Sequence, residues 1–327
     1  MSKRLILSVL ITLGIIVVLL LQISLKDLYT LLRTIDPLWA TLGSIAYLLA
    51  TLFRTLRFKW LIHSKAIPFS DLFRITAFYH LSLMVLPSKL GELSYPYLLN
   101  KKSRMNVTEG LASLIVSRVY DFFIILMVLL SVSIGVQAPF RLNTPLAIFL
   151  IIFLIGFVIV GLSYMSGLLE YFSTFLGRIS NWTGSRNARF VLWIQKKMSD
   201  MAEYFRAIKT RHTYFPVSLT SLASWVMIFC TFYAYMKSFG MDILLTKMLF
   251  GSTISVIANA LPVSGIGNWG TLEVGWAAGF LMVRLYREKA IDTGFGIHII
   301  IFIVCAIISF FCWITYGAPR AKPVAPP

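Results

Sequence analysis

The sequence predicts an all-α polytopic membrane protein with about six full spans and two re-entrant helical hairpins arranged as an inverted repeat. Three observations lead there. Hydrophobic residues make up 58% of the 327 positions and charged residues 13%, against about 25% charged in a soluble domain. Several apolar runs approach the ~20 residues needed to cross a bilayer. Two of the apolar stretches are broken by proline and glycine, at Leu86–Glu92 (LPSKLGE) and Leu261–Glu273 (LPVSGIGNWGTLE). Proline costs about 3 kcal/mol and glycine about 1 kcal/mol inside a helix. In hydrocarbon a broken backbone is tolerated only where protein or a wet cavity satisfies its polar groups. Two such breaks in corresponding parts of a chain point to a transport site.

The elements follow in order. Leu5–Ile23 is the first span, and Lys3 and Arg4 place its start in the cytoplasm. Its exit, QISLKDL, has no small-residue cleavage pattern, so it reads as a retained span rather than a signal peptide. Apolar residues at helical spacing in the link Ser24–Asp36 predict a helix on the outer surface. Pro37 opens span two, which runs to about Phe53 and ends against a cytoplasmic flank of Arg54, Arg57, Lys59, His63 and Lys65. Asp71–Leu86 and the LSYPYLL segment after the first break are too short to span, and cationic residues flank both. They form a hairpin dipping in from the cytoplasm. Leu111–Gly135 is span three.

The second half repeats that order with the opposite start. Leu146–Met165 is span four, and Phe215–Met236 is span five. Ile243–Leu261 and Leu272–Val283 form the second hairpin, and Phe295–Tyr316 is span six. The whole chain, 1–327, is therefore a single transmembrane domain with repeats at 1–135 and 146–317. A cytoplasmic amphipathic insertion at 166–214 interrupts the second repeat. Both termini are then cytoplasmic. Arg284, Arg287 and Lys289 argue the other way: if the second hairpin spans, the C-terminus lies outside.

Charge and rare residues exclude several functions. A net charge of +17 would suggest nucleic acid in a soluble chain, but basic cytoplasmic loops account for it here. No nucleic-acid partner is expected. Cys230, Cys305 and Cys312 sit in apolar segments without metal-ligand spacing, and the four histidines are scattered singly. No metal or other cofactor is expected. There is no GxxxxGK[ST] loop and no nucleophile–base pair, so no catalytic residue is assigned and an enzyme is not the first expectation.

The candidate binding residues are those that are costly in a membrane. An ionisable side chain at the bilayer centre costs about 2.5–3.5 kcal/mol on insertion scales, so each needs a partner or a wet cavity. Arg118 and Asp121 lie three apart on span three and share a helix face. They form either an internal ion pair or part of a site. Glu92 and Glu273 close the two breaks, where a carboxylate caps a helix start or lines a cavity. Asn259, Ser264 and Asn268 are polar candidates around the second break, and Lys89 is the one cation within either break. Pro87 and Gly91 make the first break; Pro262, Gly265, Gly267 and Gly270 make the second.

LPSKLGELSYPYLL, the RVYD of span three and LPVSGIGNWGTLEVG together resemble the flippase-like transmembrane domain of lysylphosphatidylglycerol synthases. The likeness covers essentially the whole chain. The family's features fall on Pro87, Gly91 and Glu92, on Arg118 and Asp121, and on Pro262, Gly267 and Glu273. Where the family's first break continues with an arginine, Ser94 and Tyr95 stand here. The resemblance implies a standalone translocating half without the soluble synthase domain, in the cell membrane of a bacterium or archaeon.

The expected function is therefore a lipid translocase moving a phospholipid or polyprenyl-phosphate-type lipid through a polar cavity between the two hairpins. Its partner is a membrane lipid with an anionic or phosphate-bearing head group, and a separate lipid synthase or glycosyltransferase is a further candidate. The alternative is a membrane-embedded lipid- or glycolipid-modifying enzyme, or its non-catalytic subunit.

Overall fold

The computed structural model describes residues 33–62, 67–86, 88–135, 143–183, 188–210, 213–260 and 269–316. All regular structure among them is helical. The first span and the surface helix expected before Asp36 lie almost wholly outside the described residues.

Helix α1 (Pro37–Leu61) begins where the Asp36 carboxylate accepts hydrogen bonds from the backbone of Leu38 at 2.8 Å and Trp39 at 3.4 Å. Pro37 fills the first helical position, where its missing N–H does no harm. Leu38, Leu42, Ile45 and Leu49 make an exposed apolar stripe, while Tyr47, Ala50 and Phe58 are buried. Such a stripe would be a liability in water and is what lipid requires. Span two does not stop at Phe53. α1 continues through Arg54 and Arg57, and Arg57 is only 3% exposed. These two arginines are thus internal, which corrects their placement on a cytoplasmic flank. A charge near the end of an apolar run stays inside when an acidic partner waits there, and Asp121 does.

Next come α2 (Phe69–Val85), a 3₁₀ turn (Ser88–Leu93) and α3 (Ser94–Ser103). Leu86 closes α2 in an extended conformation, as the residue before a proline must. Helix α4 (Val107–Ser133) is capped by Asn106, which accepts from the Thr108 amide at 3.1 Å.

Helix α5 (Thr144–Thr183) is continuous for 40 residues, so no break follows Met165. At 1.5 Å per residue it is about 60 Å long, roughly twice the hydrocarbon thickness. The amphipathic insertion therefore consists of the second half of α5 together with α6 (Ala188–Thr210). The two are tied by the Gln195 side-chain amide donating to the Ser173 carbonyl at 2.9 Å and by an Arg206–Glu170 ion pair. The chain continues through α7 (Tyr214–Ser238), α8 (Leu245–Ala260), α9 (Thr271–Met282) and α10 (Arg287–Tyr316).

Four of the described helices, α1, α4, α7 and α10, are long and apolar enough to cross a membrane. The arms flanking the breaks are shorter: α2 has 17 residues, α3 has 10, α8 has 16 and α9 has 12. Packing follows a paired pattern. α1 lies along α7. α2 packs on α1 and α10, as α8 packs on α7 and α4; α3 packs on α4, as α9 packs on α10. The largest cluster of buried apolar side chains draws on α1, α4, α7, α8, α9 and α10 and includes Tyr47, Ile125, Phe232, Trp276 and Ile297.

Lipid supplies no hydrophobic drive between helices, so close contact of small residues matters more here. The two arms α8 and α9 show this. A Cβ on Gly275 would sit 2.5 Å from the Ala258 Cβ. One on Gly279 would strike the Gly251 carbonyl oxygen and lie 2.9 Å from the Ile254 Cβ.

Candidate functional site

The helix arms converge on a cavity of about 240 Å³. Three arginines reach it: Arg54 and Arg57 from α1, one turn apart, and Arg118 from α4. The carboxylates Glu92, from the 3₁₀ turn, and Asp121, from α4, face them. The far wall carries Asn259 and Ala260 from the end of α8, Leu272 from the start of α9 and His298 from α10. The flanks of both breaks thus open onto one space.

An ordered network fixes the charges. Arg57 donates to Asp121 through Nη1 at 2.6 Å and Nη2 at 3.4 Å, the two-pronged geometry a guanidinium offers a carboxylate. The indole Nε1 of Trp225 donates to the same carboxylate at 2.8 Å. Arg118 donates to the Tyr79 hydroxyl at 2.8 Å and to Glu92 at 3.1 Å, and it stands 3.7 Å from Asp121. Asp121 is thus held first by Arg57, and Arg118 bridges from it to Glu92. Their exposures differ: Arg57 and Asp121 side chains show 3% and 12% of their surface, Arg118 and Glu92 36% and 28%. The deeper pair is a brace, and the shallower pair faces the cavity.

Glue at the second break comes from Glu273. One of its oxygens accepts the Gly270 amide at 2.7 Å, which is half of a capping box at the start of α9, since Gly270 has no side chain to return the bond. The other lies 2.5 Å from His298 Nδ1, and the His298 ring stacks on Trp269 with centroids 4.2 Å apart. Gly270 takes φ +91°, a conformation that glycine adopts without a Cβ penalty. Glu273 is buried and does not itself line the cavity; it reaches it through His298. Gly91 has a different reason: a Cβ there would lie 2.7 Å from the Ser82 carbonyl oxygen and 2.8 Å from the Leu83 Cα.

Of the residues singled out by sequence, Glu92, Arg118, Asp121 and Asn259 meet at the cavity. The Lys89 side chain, Ser264, Asn268, Pro87, Pro262, Gly265 and Gly267 lie outside the described residues. Sequence reasoning missed Arg54, Arg57, Tyr79, His80, Trp225 and His298. Arg54 and Arg57 carried a usable signal: in TLFRTLRFKWL the apolar residues keep helical spacing past both arginines, so the helix need not end before them. Tyr79 and His80 stand side by side in α2 while Trp225 and His298 sit singly in apolar runs, and no local spacing marks any of the four as a site residue.

A search of the curated proteins and of the solved structures finds no match. A family model described as the lysylphosphatidylglycerol synthase TM region matches residues 5–309, which takes in every helix around the cavity except the last turns of α10. The chain belongs to that family of lysylphosphatidylglycerol synthase transmembrane regions.

Proposed function

We propose that this protein is a lipid translocase, moving a phospholipid or polyprenyl-phosphate-type lipid between leaflets of the cell membrane. The observation that carries the reading is the cavity itself, where three arginines and two carboxylates meet between the flanks of the two breaks. A polar, charged space at the meeting point of interrupted helices is the form a membrane transport site takes. The head group enters this space while the acyl chains stay in lipid. Arg118 and Glu92 are the exposed pair a head group meets; Asp121 holds Arg118 and Arg57 in place.

The packing supports an inverted repeat. Among α1–α4 and α7–α10, each contact in one half has a counterpart in the other, with the first arm of each break, α2 and α8, leaning on the last long helix of the opposite half. On this reading α2 with α3, and α8 with α9, are the two re-entrant hairpins, α5 is a further span and both termini are cytoplasmic.

Reconstitution into liposomes carrying fluorescent-tail phosphatidylglycerol tests the function. Wild type should render the outer and inner pools exchangeable, and Arg118→Ala and Glu92→Gln should slow exchange by at least about tenfold, as expected when a charge-assisted contact is lost. Absence of exchange by wild type, or undiminished exchange in both variants, refutes the reading.

A further inference from the structure

Of the three cavity arginines, two are accounted for: Arg57 by Asp121, and Arg118 by Glu92 and Tyr79. Arg54 is different. It is partly buried, it lines the cavity, and among the described residues no carboxylate comes within ion-pair distance of it. His80 Nε2 lies 3.5 Å from its Nη1, at the outer limit of a hydrogen bond. Glu273, behind the cavity wall, has both oxygens taken, by His298 and by the Gly270 amide. The described cavity wall therefore carries one guanidinium more than its carboxylates balance. A charge at membrane depth is kept only where something pairs with it. A planar fork of donors matches the oxygens of a phosphate.

From this we infer that Arg54 is the phosphate anchor of the cavity, with His80 beside it, and that the site selects lipids whose head group is net anionic over those whose phosphate is offset by an amine. This rests on the reading of the cavity as a lipid head-group site. A zwitterionic or aminoacylated head group would bring its own cation against three guanidiniums, and a phosphodiester with no amine would complete the charge balance. At about 240 Å³ the cavity lies just below the ~300–1,000 Å³ of drug-sized ligand pockets, fitting a head group without its chains.

The test is equilibrium binding to the purified full-length chain in detergent. The probes are short-chain phosphatidylglycerol, its aminoacylated ester, phosphatidylcholine and inorganic phosphate. Wild type should bind phosphatidylglycerol at least about tenfold more tightly than the aminoacylated ester or phosphatidylcholine, and Arg54→Gln should lose about tenfold of that affinity, while Arg54→Lys, which keeps the charge but not the fork, recovers only part of it. Equal affinity for all three lipids in wild type overturns the inference without any variant, so a misfolded Arg54→Gln does not shelter it. Unchanged binding by folded Arg54→Gln also overturns it. Inorganic phosphate binding as tightly as the lipid would make this a free-anion site and overturn it as well. Selective binding without exchange in liposomes would sink the translocase reading alone; exchange without Arg54-dependent selectivity would sink this inference alone.

Discussion

The Arg57–Asp121 pair offers the sharpest test of how the protein holds charge inside a membrane. Its side chains are 3% and 12% exposed and 2.6 Å apart, so neither relies on water. Removing one partner of a buried pair leaves an uncompensated charge, at a cost of about 3–5 kcal/mol. Asp121→Leu also strips the Trp225 indole of its acceptor, adding about 1–3 kcal/mol for a buried donor left unpaired. Arg57→Met leaves the Asp121 carboxylate with Trp225 and a more distant Arg118, so its loss should fall at the lower end of the 3–5 kcal/mol range, about 3 kcal/mol. The double variant removes both charges at once and should recover part of the loss, because no uncompensated charge remains, although the Trp225 indole still lacks its acceptor. Coupling of about 2–3 kcal/mol is the expected signature for residues in direct contact. SDS titration of the purified protein in mixed micelles, followed by tryptophan fluorescence, measures the four stabilities. Single substitutions costing under about 1 kcal/mol, or a double equal to their sum, would refute the reasoning that this pair is a brace.

Two further outcomes follow from the second break and its arms. Gly279→Leu should separate α8 from α9 and destabilise by about 1–3 kcal/mol or more, the usual cost of overpacking, whereas Gly156→Ala, with open space around it, should be neutral or slightly stabilising; the same SDS titration compares them, and equal effects would dismiss close packing as the reason for the glycine. Glu273→Gln keeps an oxygen for the Gly270 amide, but Glu273→Ala loses that cap and leaves His298 without its partner. The alanine variant should therefore be about 1–3 kcal/mol less stable than the glutamine variant, and amide exchange at Gly270 should rise in it alone. Matching stability and exchange in the two variants would show that the carboxylate does not hold the start of α9.

Much of this architecture was legible because the membrane makes local sequence speak strongly. Apolar length marked α4, α7 and α10, and Pro37 marked where α1 begins, but α4 starts at Val107 behind an Asn106 cap, ahead of the apolar run that opens at Leu111. Glu92, Arg118 and Asp121 stood out because each is too costly to leave unpaired in lipid. The pairing itself was not legible. Sequence spacing offered Arg118 to Asp121, yet Asp121 is held by Arg57, 64 positions away, at 2.6 Å against 3.7 Å. No local pattern encodes such a partner. The end of α1 was misjudged for the same reason: whether Arg54 and Arg57 sit in a head-group layer or in a cavity depends on what α4 brings opposite them. His298 likewise acquires its place from Glu273, 25 positions earlier, and from the ring of Trp269.

The crossed contact between α2 and α10 also sets a timetable for biogenesis. The Ser309 hydroxyl donates to the Ala77 carbonyl at 3.2 Å, across 232 positions of chain. At 5–20 residues per second, a ribosome needs on the order of 10–50 s to supply Ser309 after Ala77 has emerged. Throughout that interval α2 has no α10 to rest against. The α2–α10 contact is therefore among the last to form, and the first half of the chain must persist in the membrane without it until synthesis is nearly complete.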